Sequence, residues 1–277
     1  MADYGFSASE TAHSSGQIEG TIPAGANDTK YVQSSNGNWS TAKAGNGTIS
    51  SATGASYAYA DLDGGVTYRV CRGYILFETP ENLVRLDEVP QLSLHVSVGS
   101  GFIAPAVICS NALTPVTSFI TLDPQSLFQN TQTASSALYN ANTGTSTYNQ
   151  YNTYDLNQLA AYHCITQRYI IISVINKAYD FDNATPTGNF ASIPNAIMAW
   201  QGAGTSYPPK LILRSPWFKN SSTGQAQKYN GDYVINAHDP DLNQYDKRVA
   251  QTPFGMNLKG PISLRNTNRA YKITKSK

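Results

Sequence analysis

Apolar residues in this chain recur mostly at intervals of two, the period of a strand, and seldom at the three-to-four spacing of a helix. The clearest case is QLSLHVSVG, residues 91–99. Leu92, Leu94, Val96 and Val98 fall on one face and Ser93, His95 and Ser97 on the other, which predicts a half-buried strand with His95 on its polar surface. VTYRVCRGYILFET, residues 66–79, is the strongest strand signal. Its alternation puts Val70, Arg72, Tyr74, Leu76 and Glu78 on one face. Arg69, Cys71, Gly73, Ile75, Phe77 and Thr79 take the other. Cys71, Ile75 and Phe77 suit a core, and Gly73 permits close approach of a neighbouring sheet. Arg72 and Glu78 lie about 20 Å apart along the strand, so each needs its own partner.

Further strands are predicted at 56–62, 102–110 (broken at Pro105), 118–124, 168–180, 195–200 and 207–215, with a turn at 63–65. An opening strand is expected within 28–45, anchored by Tyr31, Val32 and Trp39. The Gly- and Ser-rich 40s and 50s read as a long loop, as do residues 126–153 around one short helix. Leu156, Leu159 and Ala160 predict a helical turn or two over 154–163. Many short strands with little helix predict an all-β chain, a jelly-roll β-sandwich. Residues 1–25 are small and polar and read as a flexible N-terminal arm. From Pro216 the apolar pattern stops, and 216–277 reads as an extended C-terminal tail that buries no core of its own. The expected organisation is arm 1–25, sandwich 26–215 and tail 216–277.

Charge sharpens this division. Only 13% of the 277 residues are charged, which disfavours long surface helices. Residues 1–215 hold nine Lys or Arg against fourteen Asp or Glu, a net −5, whereas 216–277 hold ten against four, a net +6. Lys247, Arg248, Lys259, Arg265 and Arg269 are the candidate contacts of that tail with an acidic partner. The tail lacks the dense basic runs of a nucleic-acid binder. No secretory signal and no apolar stretch of about 18 residues is present, so no membrane span is expected. The three cysteines, Cys71, Cys109 and Cys164, form neither a disulfide framework nor a metal motif and read as buried thiols in a reducing cytoplasm.

Catalytic patterns are missing. None of His13, His95, His163 and His238 belongs to a metal-pair motif, and His163 with Cys164 are neighbours that a strand would point to opposite sides. The acidic runs at 61–63, 180–183 and 239–246 invite a calcium reading. The last run fails it, with Gln244 and Ala250 in place of the required Gly and Glu. Asp180 and Asp182 are the candidates for a structural cation; otherwise no metal, cofactor or catalytic residue is expected. The eighteen Tyr and three Trp suit either a sandwich core with subunit interfaces or a glycan-binding face.

The run YRVCRGYILFETPENL, residues 68–83, resembles a strand pattern of the DNRLRE or disaggregatase-related type of jelly roll. Arg72, Gly73, Tyr74, Leu76, Phe77, Glu78 and Thr79 carry the match, followed by an alternating strand at 89–96 that contains Leu94. Trp39 stands where that family's opening strand has its anchor, and 154–163, 169–183 and 207–213 follow in the family's order. Glu78 replaces a more usual aspartate, and 216–277 extends past the family domain. The resemblance implies a bacteriophage virion structural protein: a head fibre, capsid decoration, neck or tail component. It would be assembled in the host cytoplasm as a homo-oligomer, with other virion proteins (capsid, portal, neck or tail) as partners and no enzymatic role. A lectin-like module contacting host surface glycans is the alternative.

Overall fold

The computed structural model describes residues 17–21, 29–53, 56–97, 103–111, 122–167, 169–202, 205–220 and 223–237. The strands, in chain order, are β1 (Gln17–Thr21), β2 (Thr29–Asn36), β3 (Thr48–Thr53), β4 (Ser56–Asp63), β5 (Thr67–Glu78), β6 (Leu83–Leu86), β7 (Gln91–Val96) and β8 (Ala106–Ser110). They continue with β9 (Leu138–Asn140), β10 (Gln150–Asp155), β11 (Tyr169–Asn176), β12 (Ile197–Trp200), β13 (Lys210–Leu213), β14 (Pro216–Lys219), β15 (Ala226–Lys228) and β16 (Asp232–Asn236). Among the described residues three short α-helices accompany them: α1 (Trp39–Lys43), α2 (Pro124–Gln129) and α3 (Gln158–Thr166).

The strand β5 organises the molecule. One of its edges pairs with β2 from Tyr68 to Ile75. The other edge is divided: β4 pairs with it up to Cys71, and β11 takes over from Gly73. From that division one branch of the sheet runs through β4, β12, β7, β13, β16 and β1, and the other through β11, β8 and β9. The inner faces of the two branches enclose the main core, with Ile75 and Phe77 of β5, Leu92, Leu94 and Val96 of β7, and Ile172 and Val174 of β11. This is an all-β sandwich of jelly-roll-like architecture, and Leu94 and Phe77 sit in its interior.

Gly73 lies at the division. A Cβ there would overlap Cζ2 and Cη2 of Trp200 and press on the Tyr57 carbonyl oxygen at 3.0 Å. The glycine therefore lets the indole of β12 fill the space that opens where β4 and β11 diverge. Gly73→Ala should destabilise the fold by roughly 1–3 kcal/mol in urea unfolding. The double variant with Trp200→Phe should cost less than the sum of the two single changes. A strictly additive pair would mean that the two side chains do not meet.

The opposite face of β5 is also buried. Val70, Tyr74 and Leu76 join Val32 of β2 in a second cluster, covered by Ala42 of α1 and Leu127 and Phe128 of α2. Both helices owe their position to local capping. Asn38 Oδ1 accepts from Thr41 N, and Asp123 accepts from Ser126 N with Pro124 opening the helix. Trp39, expected as a strand anchor, begins α1 instead and packs on Tyr68, with ring centroids 5.7 Å apart.

Other expectations need correction. The long loop expected in the 40s and 50s contains β3, antiparallel to β2. The loop expected at 126–153 contains β9 and most of β10, which pairs with β7 from Gln150↔Val96 to Asp155↔Gln91. His95 is 6% exposed, not on the surface, because the outer face of β7 is covered by Tyr151 of β10 and by Tyr207. The boundary at 215 is overturned as well. β16 pairs antiparallel with β13, and Phe218, Tyr229, Tyr233 and Ile235 enter the main core. Within the expected N-terminal arm, Gln17–Thr21 forms β1, parallel to β16.

Candidate functional site

Two residues singled out separately in the sequence meet on the outer face of β5. Arg72 points away from the core toward α1 and α2. Asp180 is presented by a π turn, Lys177–Phe181, that follows β11 and is capped by Asn176 Oδ1 accepting from Tyr179 N. Arg72 Nε donates to Asp180 Oδ2 at 2.7 Å and Nη2 to Oδ1 at 2.8 Å, a bidentate pair. Nη1 donates to the Phe128 carbonyl at 2.8 Å and Nη2 to the Lys43 carbonyl at 3.3 Å, and the guanidinium lies 4.0 Å from the Phe128 ring centroid. Arg72 is 5% exposed and Asp180 is fully buried. Burial alone would lower the Arg72 pKa; the charge and hydrogen bonds of Asp180 outweigh it and hold the guanidinium above its ordinary value.

This pair forms part of the wall of a cleft of about 490 Å³. Lys43, at the end of α1, and Asn183 stand beside it; Lys43 Nζ donates to Asn183 Oδ1 at 2.8 Å. Asn183 adopts φ 63°, the left-handed conformation that asparagine tolerates, just after the π turn. Burial lowers the Lys43 pKa, Asp180 opposes that pull and Arg72 adds to it. Gln129, Thr131 and Thr133 supply neutral polar groups. Chemically the cleft offers cations, hydroxyls and amides, with its one carboxylate already bound.

The carboxylates proposed for a cation are committed to protein cations. Asp180 accepts from Arg72, and both oxygens of Asp182 accept from Lys177 Nζ, at 2.9 and 2.6 Å. In the 61–63 run, Asp61 is fully buried and takes a bidentate pair from Arg69 plus the Phe190 N–H, while Asp63 lies 3.1 Å from Arg69. Asp180 and Asp182 therefore act as ion-pair partners in this fold. Among the described residues, no group of three or more His, Cys, Asp or Glu is arranged to hold a metal. Residues 239–246, His13 and His238, and the tail candidates Lys247, Arg248, Lys259, Arg265 and Arg269 lie outside the described residues.

The Cys164–His163 neighbours lie on α3, not on a strand. Cys164 faces the core, where burial pushes its thiol up to about 12, and His163 Nδ1 shares a 2.6 Å hydrogen bond with the Tyr139 hydroxyl. All three cysteines are free and buried. No described helix is long and apolar enough to cross a membrane.

A second feature lies on the outer face of β7. The Tyr207 ring stacks on His95, with centroids 4.3 Å apart and an interplanar angle of 16°. Tyr151 meets His95 edge-on at 5.3 Å, and its hydroxyl donates to the Pro208 carbonyl at 3.0 Å. Lys210 Nζ lies 4.8 Å from the Tyr151 ring centroid. His95 is thus the floor of a tyrosine cluster whose outermost ring, Tyr207, is 50% exposed. Alternation alone hid this, because the residues that cover the strand come from β10 and from the segment before β13. No model of a known protein family matches the chain, and no curated protein matches it in sequence.

Proposed function

We propose that this protein is a structural component of a bacteriophage virion, a head fibre, capsid decoration, neck or tail protein that assembles as a homo-oligomer through its terminal segments and sandwich faces. The observation that carries the reading is the pairing of β1 with β16. A segment from the other end of the described chain than its partner is taken up as an added parallel strand at a sheet edge, from Gln17↔Asp232 to Thr21↔Asn236. An edge that accepts a terminal segment through main-chain hydrogen bonds is the kind of surface on which subunits join by strand addition. Residues 238–277 add eight Lys or Arg against three Asp, a net +5 suited to an acidic partner protein. The sequence resemblance supplies the virion context. Mass spectrometry of purified particles should find the protein at a fixed copy number, and washing in about 1 M salt should release it, because screening is nearly complete at that ionic strength. Absence from particles overturns the proposal.

A second reading, contact with host glycans, is favoured by the Tyr207 platform. A ring held flat on His95 and half open to solvent is prepared to stack on the apolar face of a sugar. Tyr207→Ala should abolish retention of the protein on the glycan it binds while leaving its melting temperature within about 2 °C, as expected of an exposed site. Unchanged retention would remove the platform from any such role.

A further inference from the structure

The cleft beside Arg72 carries more positive than negative charge in its walls. Asp180 is spent on Arg72, which leaves Lys43 as the surplus. The Lys43 ammonium has three N–H donors and gives one to Asn183 Oδ1, a neutral acceptor; it makes no ion pair among the described residues. The Arg72 guanidinium has five donors and places four, two on Asp180 and one each on the Phe128 and Lys43 carbonyls. Two cations with unspent donors in one cleft form a receptor for a carboxylate.

The remaining lining says what bears that carboxylate. Thr133 offers a hydroxyl; Gln129, whose Nε2 donates to the Gly45 carbonyl and Asn46 Oδ1, offers its Oε1; Asn183, whose Oδ1 accepts from Lys43, offers its Nδ2; and Phe181 adds an aromatic ring. Neutral hydroxyls and amides match the alternating donor and acceptor character of sugar hydroxyls. The cleft's volume of about 490 Å³ falls within the roughly 300–1,000 Å³ of small-molecule sites. An acidic side chain from a protein partner would fill one end of it and leave these polar groups unused.

We infer that this cleft binds a carboxylated monosaccharide of the uronic acid class. The carboxylate meets Lys43 and Arg72, and the ring hydroxyls meet Gln129, Thr133 and Asn183. The inference is independent of the assembly reading. It shares only a ligand class with the Tyr207 platform, which lies on the outer face of β7.

The test is an NMR titration of the isotope-labelled full chain with glucuronate, glucose and acetate in parallel. Glucuronate should shift the amides of Lys43 and Thr133, and its Kd should be at least about tenfold below those of glucose and acetate, as expected when a charge-assisted contact and hydroxyl contacts act together. Lys43→Gln should weaken glucuronate by about tenfold or more without changing the fold, read from the unperturbed remainder of the spectrum, and added salt should weaken it too. Thr133→Ala should weaken glucuronate but leave acetate as it was. Tyr207→Ala should change none of this. If acetate binds as tightly as glucuronate, the sugar assignment is wrong; if glucose does, Lys43 has no part in recognition. No shift with any of the three, or loss through Tyr207→Ala and not through Lys43→Gln, overturns the site.

Discussion

A chain ended at Ser215 should show no cooperative unfolding transition, whereas one ended at Ala237 should keep it. The shorter chain lacks β14, β15 and β16. It thereby loses Phe218, Tyr229, Tyr233 and Ile235 from the main core and exposes the edge of β13 that β16 pairs with. Burying side chains of this size stabilises by roughly 1.5–3 kcal/mol each, so the four together are worth about 6–12 kcal/mol. That range is comparable to the roughly 5–15 kcal/mol of a whole domain. Thermal unfolding followed by circular dichroism distinguishes the two chains. A sharp transition in the chain ended at 215 would mean that the sandwich is self-sufficient without its last strands.

Asp180→Ala should cost about 3–5 kcal/mol in urea unfolding, the usual penalty for leaving one member of a buried ion pair without its partner. Arg72 would keep its place under Phe128 with its charge uncompensated and two donors freed. Removing both charges with Arg72→Met and Asp180→Leu should cost clearly less than either single removal, because no buried charge is then stranded. A cost below about 1 kcal/mol for Asp180→Ala would show that water from the cleft solvates Arg72 well enough to replace the carboxylate. In that event the pair would not organise the second cluster.

Three strands that pack on the main core were legible: β7 because its apolar residues alternate, β11 because it is rich in β-branched residues, and β5 because it is a long run of apolar and aromatic residues. The divided edge of β5 was not legible, since pairing partners leave no period in the strand they pair with. β10, QYNTYD, escaped notice because Gln150 and Asn152 share its inward face with Tyr154, the one of its residues that is buried. β16 carried a usable signal. Tyr233, Val234 and Ile235 are a run of three apolar residues in an otherwise polar stretch, and all three are buried. The candidate cleft was half legible. The arginine of the RG pair and the aspartate after β11 both stood out, but 108 residues separate them and no spacing rule joins them. Lys43 gave no signal, because its role depends on where α1 ends. His95 was misjudged for the same kind of reason: a strand's alternation says which face a residue takes and nothing about what later covers that face.

The place of β16 has a consequence in time. This strand lies between β13 and β1 in the sheet, yet it comes last among the described strands. A ribosome adds about 5–20 residues each second. The 140 residues from Val96, the end of β7, to Asn236, the end of β16, therefore take roughly 7–28 s to make. Through that interval β7, and later β13, wait in a nascent chain whose sheet has no closing strand. Completion of the sandwich thus waits until β16 has left the ribosome.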